Sequence, residues 1–148
     1  MVEKSIPPEM LKKMTFEQFQ KECKHLSEMD DNDIKENFKD DPRAPEIIKE
    51  EYKRLADTVT DDEFNRQQQE VIFDTLKTEG NNLFREEKYE ESLAKYHEAL
   101  DQIKKMNGME LKEIRETIIL NIALVYVKMN EPKKAIEKCE TVKVLVIK

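Results

Sequence analysis

Residues 76–100 read LKTEGNNLFREEKYEESLAKYHEAL. The stretch parses as two helices back to back. Small residues fall where helices must approach closely: Gly80 in the first, Ser92 and Ala99 in the second. Larger apolar residues fill the gaps, namely Leu76, Leu83, Phe84, Tyr89, Leu93, Tyr96 and Leu100. The first helix breaks near Glu87-Lys88, and Tyr89 opens the next apolar stripe. A helix–turn–helix of this size cannot bury its apolar face alone and has to stack on a neighbour. The neighbour spans Ile119 to Val142. There Ala123 takes the Gly80 slot, Tyr126 the Leu83 slot, Ala135 the Ser92 slot, Ile136 the Leu93 slot and Val142 the Ala99 slot. Every pair is 43 residues apart. The expected fold is all-α, a helical repeat array.

Composition agrees. The chain has 148 residues, of which 40% are charged and 38% apolar, with two glycines and no tryptophan. That mixture suits helices with solvated outer faces. Apolar runs such as Val144–Ile147 are far too short to cross a bilayer. The start, MVEKSIPPEM, lacks an apolar signal core. Two cysteines far apart, Cys23 and Cys139, suit a reducing compartment better than a disulfide scaffold. A cytoplasmic location is expected. The net charge is −7, and all the excess acid lies in the first half. Residues 1–70 hold 12 Lys/Arg against 19 Asp/Glu, and residues 71–148 hold 14 against 14. An acidic arm of this kind argues against nucleic acid and anionic membrane as partners.

In chain order, residues 1–8 read as a disordered leader ending in Pro7-Pro8. A helix is expected from Glu9, restarting at a Thr15/Gln18 capping box. Asp30 to Asp33 reads as an acidic loop feeding a short helix, Ile34 to Lys39, which Pro42 stops. Pro45 opens the next helix, with Ile47, Ile48, Tyr52, Leu55 and Val59 as its apolar face, packed on the long helix that follows. Thr60 with Glu63 caps that helix, expected from Asp61 to about Glu86. Residues 1–60 thus form an acidic helical arm, and residues 61–148 the repeat domain. Its first unit runs from about residue 73 to 106, and its second from about 116 to 148. Asn107-Gly108 makes the turn between them. The apolar run Val142–Ile147 has no helix after it to cover it. Two readings stay open: the chain is cut before a third unit, or the run docks on the arm, on a partner or on another copy.

Catalysis finds little support. His25 and His97 are the two histidines, and Cys23 with His25 sit on different faces of a helix. No Cys/His cluster completes a metal site, and Asp30–Asp33 lacks the glycine and distal glutamate of a calcium loop. Both glycines stand alone, so no phosphate-cradling loop is present. The expectation is a non-enzyme without metal or cofactor.

The informative set is polar. Lys77 and Asn81 are four apart on the first helix of unit one, so they share a face. Asn121 stands two before Ala123 on the first helix of unit two. First helices line the concave side of stacked repeats, so the three are expected in one groove. A lysine with two amides suits a carboxylate: a point charge plus directional N–H donors.

The pattern resembles the tetratricopeptide (TPR) repeat, although that repeat has a period of about 34 residues. More narrowly, LKTEGNNLF, followed by Tyr89, Ser92, Tyr96 and Ala99, resembles the first repeat of TPR co-chaperones that hold the acidic C-terminal tail of heat-shock chaperones. The lengthened helices around Asn107-Gly108 are similar to those of the large immunophilins. The resemblance covers roughly residues 70–145. It implies a two-carboxylate clamp in which Lys77, Asn81 and Asn121 match. The lysine and arginine that repeat three would supply have no counterpart here. The implied function is a co-chaperone docking the C-terminal peptide of a 90-kDa or 70-kDa heat-shock chaperone. The alternative is a TPR assembly scaffold that binds no chaperone tail.

Overall fold

Side-chain caps and left-handed turns set several of the helix boundaries. The structure is a computed structural model that describes residues 6–106 and 111–147, with side chains through Val142. Eight helices are described: α1 Pro8–Lys13, α2 Phe16–Ser27, α3 Asp31–Asn37, α4 Pro45–Thr58, α5 Asp61–Arg85, α6 Tyr89–Lys105, α7 Leu111–Lys128 and α8 Pro132–Ile147. No strand occurs among the described residues, and the fold is an all-α helical repeat array. The chain forms two compact units, Met1–Gln68 and Gln69–Lys148, which divide within α5.

In the first unit, Thr15 Oγ1 accepts from the Gln18 backbone N–H and Gln18 Oε1 accepts from that of Thr15, the expected capping box. Asp30 caps α3 by accepting from the Asn32 N–H at 2.7 Å. That cap starts the helix at Asp31, three residues before the expected Ile34. Thr60 Oγ1 accepts from the Glu63 N–H at 3.1 Å and opens α5. The core is built from Phe19, Cys23 and Leu26 of α2, Ile34 of α3, Ile48, Tyr52 and Leu55 of α4, and Phe64 of α5. Phe64 sets its ring at a tilt against those of Phe16 and Phe19, with centroids 5.7 and 5.1 Å away. The α4 helix packs on α2 and α3.

Two expectations about the arm need correction. Ile6, Pro7 and Pro8 are not free leader. Ile6 is buried, its N–H donates to Gln67 Oε1 at 3.1 Å, and Pro8 already begins α1. Gln68 Nε2 holds the end of α1 by donating to the carbonyls of Leu11 and Met14, at 2.7 and 3.0 Å. Ile47 does not join the α4 core; it is 56% exposed. Leu55 lies eight residues on from Ile47 but only seven from Ile48, and the buried set follows Ile48.

In the second unit, one feature recurs with the repeat. Glu87 and Asn130 both have left-handed backbones, with φ of 63° and 62°. After α5, the Lys88 N–H reaches back to the Leu83 carbonyl and the Glu87 N–H to that of Phe84. After α7, Glu131 reaches Tyr126 and Asn130 reaches Val127 in the same way. These are Schellman turns, and each member lies 43 residues from its counterpart. The core joins Phe73 of α5, Tyr96 and Ile103 of α6, and Ile118, Ile122 and Val125 of α7. Phe84, Tyr89, Leu93, Leu100 and Tyr126 pack against it. The turn expected at Asn107-Gly108 lies outside the described residues, as do the side chains of Val144–Ile147. No described helix is long and apolar enough to cross a membrane.

Candidate polar groove on α5 and α7

Close approach of α5 and α6 fixes one end of the expected site. A Cβ at Gly80 would lie 2.8 Å from Tyr96 Cε1. Only a glycine lets the tyrosine ring lie against the α5 backbone. Buried Ser92 secures the crossing, its Oγ donating to the Gly80 carbonyl at 2.8 Å. The Tyr96 hydroxyl then reaches the next residue and donates to Asn81 Oδ1. With its carbonyl oxygen engaged, the Asn81 amide has its two N–H donors left to offer.

Lys77 lies one turn before Asn81 on α5 and is half-buried, like Asn81 and Asn121. Its ammonium sits 5.9 Å from the centroid of the Phe73 ring, a favourable cation–π position. Glu79 is drawn off to Lys95 of α6 at 3.1 Å, and Lys77 pairs with no carboxylate among the described residues. Asn121 belongs to α7, next to Ile122, which shares a core cluster with Phe73. Thus Lys77 and Asn81 share one helix face, and Asn121 stands on another helix of the same core. No side-chain bond joins Asn121 to either of them among the described residues.

Sequence reasoning missed Tyr96 as the residue that orients Asn81. The signal was present, since a tyrosine faces the small Gly80 slot. It also missed what fills the Lys77 and Asn81 slots of unit two. These are Leu120 and Leu124, 47% and 48% exposed. Among the described residues, no group of three or more His, Cys, Asp and Glu could hold a metal ion. Burial, and next the charge of Glu22, pushes the Cys23 thiol up to about 12, so it stays protonated and inert. His97 is exposed on α6, and partial desolvation followed by the Lys138 charge lowers its pKa.

No protein-family model matches the chain, and no solved structure matches it. It is similar to the peptidyl-prolyl cis-trans isomerase PASTICCINO1 of Arabidopsis thaliana, 35% identical over 75 residues that cover 47% of this chain and 12% of that protein. It is also similar to tetratricopeptide repeat protein 12 of Homo sapiens, 32% identical over 75 residues that cover 51% of this chain and 9% of that protein. The chain therefore spans about a tenth of the length of these curated relatives. Over about half its length it is related to proteins of the tetratricopeptide-repeat type.

Proposed function

We propose that this chain is a protein-interaction module whose second unit receives an acidic peptide ending in a free carboxylate. The observation that carries the reading is the oriented Asn81 amide one turn after the Lys77 ammonium, which pairs with no carboxylate among the described residues. A cation and two fixed N–H donors one helical turn apart form a receptor for a carboxylate. In this reading Asn121, on α7 of the same core, adds a second amide. The likeness to tetratricopeptide repeat protein 12 and to an isomerase supports a binding role for the fold. In this proposal the chain binds rather than catalyses, and acts as a cytoplasmic co-chaperone. Its ligand is the C-terminal tail of a 90-kDa or 70-kDa heat-shock chaperone. Lys77 is the one cation the proposal assigns to the carboxylate, so binding is weak, tens of micromolar or poorer to order of magnitude, and it fades with salt.

Titration calorimetry with an acidic peptide tests this. The free-acid form should bind, and the C-terminally amidated form should lose about 1.5–3 kcal/mol. Lys77→Ala should lose a similar amount, and the two losses should not add because they remove one contact. Equal binding of acid and amide would end the clamp reading. A second reading, an assembly scaffold without tail binding, is favoured by the exposed leucines at Leu120 and Leu124.

A further inference from the structure

Among its described residues, the second unit exposes an apolar face. Leu120, Leu124 and Val127 form an i, i+4, i+7 stripe on α7, and Val127 is 57% exposed. Beside it, Ile136 of α8 is 58% exposed. A groove of about 340 Å³ runs between the helices, lined by Val127, Pro132, Ala135, Ile136, Cys139 and Glu140. Four large aliphatic side chains on one face exceed the scattered exposure of an ordinary surface.

The repeat itself indicates what such a face takes. Forty-three residues earlier, the positions of Val127, Pro132, Ile136 and Cys139 are held by Phe84, Tyr89, Leu93 and Tyr96. Those four pack in the core to which α7 contributes Ile118, Ile122 and Val125. The unit-one face is therefore covered by a helix bearing branched aliphatics at i, i+4 and i+7. The outer stripe of α7, Leu120, Leu124 and Val127, has that spacing and is unspent. It is also continuous with the α7–α8 interface, because Val127 belongs to both stripe and groove.

We propose that two copies of this chain associate face to face through α7 and α8. Each α7 stripe lies on the α7–α8 groove of the other copy. The same patch serves as knob and socket, so the contact is isologous and closes at two copies. The association does not depend on the peptide reading, because it uses neither Lys77 nor Asn81.

Sedimentation equilibrium of the full chain, over about 1 to 500 µM, tests it. The mass should rise from that of one 17.6 kDa chain to twice that value and stop there. Leu124→Lys and Ile136→Lys should each raise the dissociation constant more than about tenfold, by forcing an unpaired charge into the contact. Both side chains are exposed, so thermal unfolding of the variant monomers should match the wild-type chain. Ile47→Lys, equally exposed but in the first unit, should leave the mass unchanged. A chain monomeric over the whole range overturns the proposal. So does a dimer that survives the Leu124→Lys/Ile136→Lys double variant, or one that Ile47→Lys disrupts equally. A monomer that nonetheless captures a synthetic peptide of residues 111–128 overturns the dimer too, because the groove then takes a helix without pairing two copies.

Discussion

The ring of Tyr96 fills the space that a side chain at Gly80 would need, with a would-be Cβ 2.8 Å from Cε1 and 2.9 Å from Cδ1. The ring cannot yield easily. Tyr96 is buried, and Asn81 tethers its hydroxyl. Alanine is the better helix former by about 1 kcal/mol, but overpacking a buried crossing costs about 1–3 kcal/mol. Gly80→Ala should therefore destabilise the second unit, read by far-UV circular dichroism in urea. The other repeat pairs its slots differently: Ala123 corresponds to Gly80 and Cys139 to Tyr96. A smaller residue at the Tyr96 slot goes with a larger one at the Gly80 slot. Combining Gly80→Ala with Tyr96→Cys should then cost less than the sum of the single changes. An unchanged or raised urea midpoint for Gly80→Ala alone would refute the packing account.

Glu87 and Asn130 test the repeated turn. Both sit at φ near +60°, which costs an ordinary L-residue about 1–2 kcal/mol and asparagine less. Glu87→Gly relieves that strain but adds freedom to the unfolded chain, worth about 0.5–1 kcal/mol. The net expectation is a gain of up to about 1.5 kcal/mol. Asn130→Ala should lose stability at the matching turn. Opposite signs at the two sites would be read from urea midpoints, and a loss at Glu87→Gly would sink the idea.

Much of this architecture was legible because it is local. The capping box at Thr15, the side-chain cap at Thr60, the prolines that open α4 and α8, and the 43-residue slot pairs are all short-range patterns in the sequence. Less legible were contacts made by polar side chains across long sequence distances. Gln67 and Gln68 carry no sequence signal of a role, yet their amides hold backbone groups of Ile6, Leu11 and Met14 about 54–61 residues away. Nothing in a glutamine's neighbours announces such a bond. The α3 start was missed because aspartates were read as loop, whereas Asp30 is a cap and Asp31 and Asp33 favour a helix N-terminus. For the groove, helical spacing sufficed to pair Lys77 with Asn81. The tether from Tyr96 needed three dimensions.

Arg43 ties the loop before α4. Its guanidinium pairs with Asp41 at 2.7 Å and with Glu51. Its hydrogen bonds to Asp41 hold that carboxyl down to about 2, against about 3.9 for a free aspartate. The folded pKa is the lower one, so the folded chain binds this proton less well. The contribution is whole above about pH 4 to 5 and is lost as pH falls from there towards 2. Arg43→Gln should therefore unfold at a lower temperature than the wild-type chain at pH 6. The gap should close on acidification to pH 2, and added salt should narrow it at pH 6. A gap that stays constant across the acid range would show that the pair contributes nothing through ionisation.

The two thiols should separate cleanly. Cys139 is exposed, and Cys23 is buried with its thiol pushed up to about 12. At the dilute, monomeric end of the concentration range, a maleimide at pH 7 should add one label to the native chain, at Cys139, and a second only after denaturation. Rapid labelling of Cys23 in the native chain would mean that the α2–α4 core opens easily.

The last prediction isolates the tether in the groove. Tyr96 donates to Asn81 from beneath the site, and the proposal gives it no contact with a bound peptide. If the bond fixes which end of the amide faces the ligand, Tyr96→Phe should weaken binding of an acidic free-carboxylate peptide. The loss should be about 0.5–1.5 kcal/mol, or roughly two- to tenfold, the net value of an ordinary hydrogen bond. Asn81→Ala should lose more, because it removes the donor itself. In the Asn81→Ala background, Tyr96→Phe should then cost nothing further in affinity, since no amide remains to orient. Stability behaves differently: removing the hydroxyl should cost some stability in the wild-type background, and less once Asn81 is gone. Calorimetry on the four chains reads affinity, and urea titration of the same four reads stability. If Tyr96→Phe weakens binding equally with and without Asn81, the hydroxyl acts through the fold as a whole, and the oriented-amide account of the groove is wrong.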